Sequence, residues 1–200
     1  MERIGIFGGT FDPVHVGHLV AACWCRDTLE LDRVLLVVAN EPWQKTGTRE
    51  LTAAEDRFAV VAAAVEGVDG LQASHIEIER GGPSYTADTV HELRLAHPGA
   101  ELFLAMGSDV AAELGTWHRF EEIKSLVTLV VVDRGGTVPQ GASHERWGGA
   151  ESVRHLRIPA IEISSSELRD RLRRGQSVEF LIPERAVSCI QRLGLYSVSG

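Results

Sequence analysis

The segment Gly8–His18, which reads G-G-T-F-D-P-V-H-V-G-H, constrains this chain more than any other part of its sequence. It follows the apolar run Ile4–Phe7, which has the pattern of a buried strand, and precedes Leu19–Trp24, which has the pattern of a helix start. A strand, a glycine turn and a helix N-terminus together form an anion site, because glycines let the backbone approach a ligand and the helix end offers free N–H groups. His15 and His18 are three residues apart and therefore fall on one side of the first helical turn. The segment predicts a phosphate site equipped for chemistry.

Length and composition predict one domain, residues 1–200, with an ordinary core, since the chain has 200 residues of which 44% are hydrophobic and 24% charged. The net charge of −8 argues against a partner that is nucleic acid or an anionic membrane, although a local cluster can still bind a small anion. No apolar run is long enough to cross a bilayer, and Gly8 and Gly9 end the first apolar stretch too early for a signal peptide. We therefore expect a cytoplasmic protein. Its odd number of cysteines predicts no disulfide framework.

Apolar runs alternate with helical patterns along the chain. The predicted strands are Arg3–Phe7, Val34–Val38, Leu71–Ile78, Leu102–Ala105 and Val127–Val132, and the predicted helices between them are Leu19–Leu29, Thr52–Val65 and Thr86–Leu95. Leu71–Ile78 is mixed in polarity, as an edge strand would be, and Thr52 with Glu55 has a capping-box pattern. We predict an α/β fold, a Rossmann-like doubly wound parallel sheet with helices on both faces and a small C-terminal helical part. In such sheets ligands bind beyond the carboxyl ends of the strands, where Gly8–His18 would lie.

The glycine turn matches neither of two common nucleotide fingerprints. The sequence has no G-x-x-x-x-G-K-[ST] segment, which argues against a P-loop hydrolase, and no G-x-G-x-x-G after the first strand, which argues against a typical dinucleotide dehydrogenase. A phosphate cradle with His15 and His18 as donors remains. A single histidine is usually a surface or core residue, but two at this spacing beside three glycines favour a functional role.

A second cluster, Ile163–Arg169, reads I-S-S-S-E-L-R. Its three serines predict a helix N-cap, and Arg169 lies one turn into that helix. Taken alone, this pattern is most often a capped helix with a surface arginine. Combined with Gly8–His18, it predicts a second helix N-terminus that grips the far end of a polyphosphate.

With both clusters in view, the chain resembles the nucleotidylyltransferase superfamily marked by an H-x-G-H motif, and within it bacterial nicotinate-mononucleotide adenylyltransferase. The resemblance runs nearly end to end. Besides the two clusters, it rests on Gly82–Thr89 (G-P-S-Y-T-A-D-T), Met106–Asp109 (M-G-S-D) with Trp117, Pro42–Lys45 (P-x-x-K) and Phe180–Pro183 (F-L-I-P).

The resemblance implies transfer of an adenylyl group from ATP to nicotinate mononucleotide in NAD biosynthesis, giving nicotinate adenine dinucleotide and pyrophosphate. It also implies Mg²⁺, carried mainly by the ATP phosphates. The attacking phosphate is already an anion, so direct in-line attack needs no protein base and no covalent intermediate. Such an enzyme must align two repelling anions and stabilise charge on the α-phosphate and the leaving pyrophosphate.

By the resemblance, each predicted site residue has a role. The residues implied to bind ATP are Gly8, Gly9, Thr10, Phe11, His15, His18, Gly107, Asp109, Arg134, Ser165, Ser166 and Arg169. Those implied to bind nicotinate mononucleotide are Thr10, Lys45, Tyr85, Thr86 and Trp117, with the backbone at Tyr85 and Thr86 receiving the carboxylate and Trp117 stacking on the ring. The implied catalytic donors are His15, His18, Lys45 and Arg169. Asp109 as a plain helix N-cap and Arg134 as a solvated loop residue are the competing interpretations.

Several points depart from the family pattern or stay open. Gln44 stands where His usually precedes the lysine, and Asp133-Arg134-Gly135 lacks the usual Pro after Arg. The two clusters are also compatible with a relative acting on phosphopantetheine or on nicotinamide mononucleotide. A nucleotide-binding regulator without turnover is the alternative from another class, although such a protein should have lost a phosphate donor. A homo-oligomer is neither favoured nor opposed, because the sequence shows no exposed apolar stripe.

Overall fold

Six parallel strands form a single sheet in the part of the chain that the computed structural model describes, residues 1–42, 51–133, 147 and 152–197. The strands are β1 (Arg3–Gly9), β2 (Arg33–Val38), β3 (Leu71–Ser74), β4 (Glu101–Gly107), β5 (Thr128–Asp133) and β6 (Val153–Arg157). Their order is β3-β2-β1-β4-β5-β6. Strand order therefore reverses between β1 and β4, and the crevice at their carboxyl ends is where such sheets bind ligands.

Helices cover both faces of this sheet. They are α1 (Val16–Thr28), α2 (Ala54–Val65), α3 (Ile76–Arg80), α4 (Thr86–Ala96), α5 (Ser108–Ala112), α6 (Phe120–Leu126), α7 (Ser165–Arg173) and α8 (Glu184–Arg192). The apolar residues of α1, α2, α7 and α8 share one core cluster, and those of α4, α5 and α6 share the other. This arrangement, with one layer of helices on each face of the sheet, confirms the predicted doubly wound fold with a C-terminal helical part. None of the helices seen in these residues combines the length and the apolarity that a bilayer span requires.

Strand β2 shows why an uninterrupted apolar run is stable here. Val34, Leu36 and Val38 enter the core cluster on one face, whereas Leu35 and Val37 enter the cluster on the other. Successive side chains of a strand point to opposite faces, so a strand covered on both sides needs apolar residues at every position.

The predicted Leu71–Ile78 strand is wrong in its second half. Strand β3 ends at Ser74, and α3 occupies Ile76–Arg80. The alternation of Ile76, Glu77 and Ile78 resembles that of a half-buried strand. Glu77 is nevertheless buried, and its Oε1 accepts a hydrogen bond from Thr89 Oγ1 (2.6 Å), a contact that sequence alone does not reveal. The edge position expected for this segment is confirmed.

Two further corrections concern β6 and the start of α2. Strand β6 was not predicted, because it lies at the sheet edge and only Val153 and Leu156 of its residues are buried, without alternation.

The predicted capping box of Thr52 and Glu55 does not form, since α2 starts after Ala53 with no side-chain cap. The backbone carbonyl of Thr52 instead accepts a hydrogen bond from Arg57 Nε (2.8 Å). The predicted loop Gly135–Gly149 lies outside the described residues except for Trp147, which is buried.

Candidate active site

A cavity of about 680 Å³ lies at the carboxyl ends of β1 and β4, where strand order reverses. Most of the predicted site residues line it, although they come from distant parts of the chain. They are Gly8, Gly9, Thr10, Phe11, His15, His18, Thr86, Gly107, Asp109, Trp117, Ser165, Ser166 and Arg169. The tertiary structure thus brings the two sequence clusters to one cavity.

The two histidines form the entry to α1. His15 is the N-cap residue, and its carbonyl accepts the backbone N–H of His18 (2.9 Å). In return, the backbone N–H of His15 donates to Nδ1 of His18 (3.2 Å). Because Nδ1 acts as an acceptor, the ring proton of His18 resides on Nε2, which makes that nitrogen a donor for a ligand. The centroids of the His15 and His18 rings are 3.7 Å apart, and both residues line the cavity.

Gly9 in the glycine turn leaves no space for a larger side chain, whereas Gly8 has open space around it. A Cβ at Gly9 would fall 2.8 Å from the ring of Phe11, and Phe11 itself has a left-handed backbone (φ +49). The Phe11 ring packs edge-on against His18, with centroids 5.1 Å apart. The turn therefore brings backbone close to the cavity and uses Phe11 to support the His18 ring.

Helix α7 is joined directly to the β1–α1 turn. Ser164 caps the helix by accepting the backbone N–H of Glu167 (3.2 Å), as predicted. Ser165 Oγ donates to the carbonyl of Pro13 (2.9 Å). The guanidinium of Arg169 donates through Nη1 to the carbonyl of Asp12 (2.6 Å) and through Nη2 to Ser166 Oγ (3.0 Å). Arg169 is only 6% exposed, so it is a cavity residue and not a surface arginine.

A carboxylate also borders this end of the cavity. Asp12 is 1% exposed, and its Oδ2 lies 3.9 Å from Arg169 Nη1. Its Oδ1 accepts a hydrogen bond from the Tyr196 hydroxyl (2.7 Å). Burial raises the pKa of Tyr196 above its usual range, because the phenolate is disfavoured away from water, so the hydroxyl remains a donor.

The other end of the cavity is formed by the start of α4. Tyr85 is the N-cap residue of this helix, and Ser84 and Thr86 line the cavity, which leaves the first N–H groups of α4 close to it. Tyr85 is not among the lining residues, and its ring packs against His118 with centroids 4.9 Å apart. Trp117 lines the cavity, and its buried Nε1 has no hydrogen-bond partner among the described residues.

Gly107 is the last residue of β4 and Asp109 follows it, and both line the cavity. Gly107 is the N-cap residue of α5 and Asp109 is the second residue of that helix, so Asp109 is not its N-cap. A Cβ at Gly107 would collide with Oδ1 of Asp109. The glycine therefore lets the Asp109 carboxylate lie against the backbone at the end of β4.

Sequence reasoning missed Arg57, which bonds to backbone next to the cavity without lining it. This side chain is 1% exposed and donates to the carbonyls of Thr10 through Nη1 (2.8 Å) and of Asn40 through Nη2 (3.0 Å), in addition to Thr52. Asn40 in turn donates from its backbone N–H to Ser84 Oγ (2.8 Å). An arginine within the otherwise apolar face of a predicted helix was the available signal for such a buried role.

Lys45 and Arg134 lie outside the described residues, so their predicted roles stay predictions. Within the described ranges, no cluster of three or more His, Cys, Asp or Glu side chains could hold a metal ion.

Comparison with known proteins places the chain in a family. A model of the cytidylyltransferase-like family matches residues 6–171. A probable nicotinate-nucleotide adenylyltransferase of Corynebacterium kroppenstedtii is 42% identical over 99% of this chain and 92% of its own length. A probable nicotinate-nucleotide adenylyltransferase of Saccharopolyspora erythraea is 41% identical over 98% of this chain and 90% of its own length.

A solved structure supports the fold independently. The Plasmodium falciparum nicotinic acid mononucleotide adenylyltransferase complexed with NaAD superimposes with a TM-score of 0.77 at 18% identity, covering 98% of both chains. With the family match, the identity to the two bacterial relatives and the cavity at the strand-order reversal, the chain belongs to the nicotinate-nucleotide adenylyltransferases of the cytidylyltransferase-like family.

Proposed function

We propose that this protein transfers the adenylyl group of ATP to nicotinate mononucleotide, releasing pyrophosphate and forming nicotinate adenine dinucleotide. The observation that carries the proposal is the joining of α7 to the β1–α1 turn, because it places Arg169 and the histidine pair at one end of a single cavity. Family membership supplies the reaction class, and the 200 residues act as one domain in this proposal.

The triphosphate of ATP would lie between α1 and α7. The donors there are the Nε2–H of His18, the guanidinium of Arg169, the ring of His15 and the N–H groups at the two helix starts. Ser165 Oγ already donates to Pro13, so this residue would offer its backbone N–H, and Ser166 its hydroxyl, to the β- and γ-phosphates. Gly8, Gly9, Thr10 and Phe11 would border the α-phosphate.

Charge is the main obstacle to this reaction, and the donors at the phosphate end address it. The acceptor's phosphate is a nucleophile at neutral pH without any base, so the protein must align it with the α-phosphate and stabilise charge on the departing pyrophosphate. His18 and Arg169 lie where that charge would develop in our proposal. Lys45 would add a positive charge between the two substrates.

The donor set of the cavity fits a magnesium ion that arrives with ATP. The residues at the phosphate end are mainly N–H donors, which bind phosphate oxygens, whereas Mg²⁺ takes oxygen ligands and commonly keeps waters and substrate phosphates. When bound, Mg²⁺ would neutralise phosphate charge. Asp12 is engaged by Tyr196 and Arg169, which leaves the phosphates as the principal ligands in our proposal.

Nicotinate mononucleotide would occupy the end of the cavity formed by α4 and Trp117. The first N–H groups of α4, at Tyr85 and Thr86, would receive the carboxylate, because a helix N-terminus favours an anion over a neutral amide. Trp117 would stack on the pyridine ring. The adenosine would lie against Gly107 and Asp109, with the carboxylate accepting from a ribose hydroxyl, and Arg134 would lie near the adenine or the phosphates.

A panel of acceptors tests the proposal. Pyrophosphate release from ATP is followed with nicotinate mononucleotide, nicotinamide mononucleotide and phosphopantetheine. We expect kcat/KM to be roughly a hundredfold higher for the nicotinate form than for the amide, since only the carboxylate satisfies the charge preference of α4. Turnover with phosphopantetheine alone would identify a different transferase, and ATP binding without turnover of any acceptor would favour a regulator.

A further inference from the structure

Asp12 poses an electrostatic problem for the phosphate end of the cavity. Its carboxylate is buried, borders the cavity and lies near Arg169. A carboxylate repels a triphosphate, and the repulsion is strong where water is excluded. The site therefore needs a device that offsets this charge or holds the carboxylate in one place.

Arg169 depends on the position of Asp12. Its guanidinium donates a 2.6 Å hydrogen bond from Nη1 to the Asp12 backbone carbonyl, and the same nitrogen forms a 3.9 Å ion pair with the carboxylate. If the Asp12 side chain turned further toward the guanidinium, this long ion pair would shorten and the carboxylate would offset more of the Arg169 charge. The rotamer of Asp12 thus influences how much of the Arg169 charge a phosphate meets.

Tyr196 holds that rotamer from the far end of the sequence. Its hydroxyl donates to Asp12 Oδ1 at 2.7 Å, across 184 residues of chain. After α8, Gly194 (φ +64) turns the chain, and the N–H of Leu195 bonds back to the carbonyl of Ile190 (3.0 Å). Tyr196 itself has a left-handed backbone (φ +59), a conformation that a bulky residue adopts only when its surroundings compensate for the strain.

We propose that Tyr196 is a positioning residue for ATP: its hydroxyl fixes the Asp12 carboxylate at its 3.9 Å distance from Arg169 and takes up part of its negative charge, so that more of the guanidinium charge acts on the triphosphate. The identity of the anion rests on the proposed function. A purely structural alternative is that Tyr196 only fastens the end of the chain.

The variant Tyr196→Phe tests this role, because it removes one oxygen and keeps the ring. The matched control is Ser197→Ala, which removes a hydroxyl from the next residue; within the described part of the chain this hydroxyl bonds locally, to the Gly194 carbonyl (2.9 Å). The dissociation constant of a non-hydrolysable ATP analogue is measured by titration calorimetry, with urea unfolding in parallel. We expect Tyr196→Phe to weaken analogue binding about five- to tenfold, less than the full value of a hydrogen bond to a charged group because Tyr196 acts on the ligand through Asp12, and Ser197→Ala to leave it unchanged.

A double-mutant cycle with Asp12→Asn asks whether Tyr196 acts through the carboxylate. In the background of the Asp12→Asn variant, we expect Tyr196→Phe to change analogue binding by less than about twofold, because the charge that the hydroxyl offsets is gone. The KM of the acceptor should not change in Tyr196→Phe.

Three results would overturn the proposal. These are an unchanged analogue affinity in Tyr196→Phe, an equal effect of that variant in both backgrounds, and a Tyr196→Phe protein that no longer folds while Ser197→Ala does. Analogue binding needs no acceptor, so it remains informative even if the wild-type protein fails to use nicotinate mononucleotide. That failure would count against the proposed function alone.

Discussion

The side chain of His18 closes a helix and faces a ligand at the same time. Its Nδ1 accepts the backbone N–H of His15, which leaves the ring proton on Nε2 toward the cavity. Phe11 packs edge-on against the ring and limits its rotation. A donor held in this way is already oriented when charge develops on a phosphate in the transition state. Such oriented donors contribute most to catalysis at that point, because they need no rearrangement.

We expect His18→Ala to lower kcat by about two to three powers of ten, because one oriented donor to the phosphates is lost. Steady-state pyrophosphate release measures the effect, and circular dichroism checks that the variant folds. His91→Ala is the control, since that histidine is exposed on α4 and lies 3.9 Å from Glu122, a surface pair remote from the cavity lining. Full activity in His18→Ala would remove His18 from the catalytic group.

Arg57 connects secondary-structure elements that the backbone alone would leave separate. From α2, its guanidinium bonds to the carbonyls of Thr10 beyond β1 and Asn40 beyond β2, and to Thr52 before its own helix. Parallel strands end with carbonyls that have no partner in the next strand, so a planar group with several donors suits this position. The carboxyl edge of the sheet is thereby held at a fixed geometry around the cavity.

Arg57→Met should lower the free energy of unfolding by about 3 kcal/mol, because three partly buried carbonyl oxygens lose the donor that the buried guanidinium supplies. Urea denaturation measures the change. The matched control Arg173→Met removes an exposed arginine of α7 that pairs with Asp170 (2.9 Å), and it should change stability by no more than about 0.5 kcal/mol. Equal effects of the two variants would contradict the supporting role of Arg57.

At the level of elements, the sequence predicts what depends on local apolar patterns. The cores of β1, β2, β4 and β5 were predicted because strands buried on both faces are apolar throughout. Prediction failed for β6 and α3, whose residues are partly polar and whose conformation depends on neighbours. The sheet's hydrogen bonds stabilise β6, and the buried contact of Glu77 with Thr89 favours α3.

In the molecule as a whole, both ends of the described chain meet at the phosphate site. Residues 8–18 provide the cradle, α7 closes it, and Tyr196 reaches Asp12 after the last helix. The cavity therefore forms only once the C-terminal helices have packed on the sheet. Since a ligand that binds only this folded form stabilises it, we expect ATP, bound as proposed, to raise global stability.

Global stability should also depend on pH through Cys25. Burial raises the pKa of this thiol from 9.0 to about 12. An unfolded thiol ionises above about pH 9 while the folded one stays protonated, so its contribution is present below pH 9 and is lost as the pH rises toward 12. Between about pH 8 and pH 10 we expect the wild type to lose about 1.4 kcal/mol more unfolding free energy than Cys25→Ala, measured by urea denaturation. Parallel pH profiles would rule out this contribution.

The sequence by itself determined the fold class and predicted the residues proposed to bind phosphate. Both follow from short-range patterns: apolar runs between amphipathic stretches, a glycine turn at a helix start, and serines that cap a helix before Arg169. Only the tertiary structure decided which groups act together, because the bonds of Arg169 to Asp12, Arg57 to Thr10 and Tyr196 to Asp12 join residues far apart in the chain. Such contacts leave no periodic signal, since each depends on where the sheet and its helices carry the backbone, and not on the residues beside it.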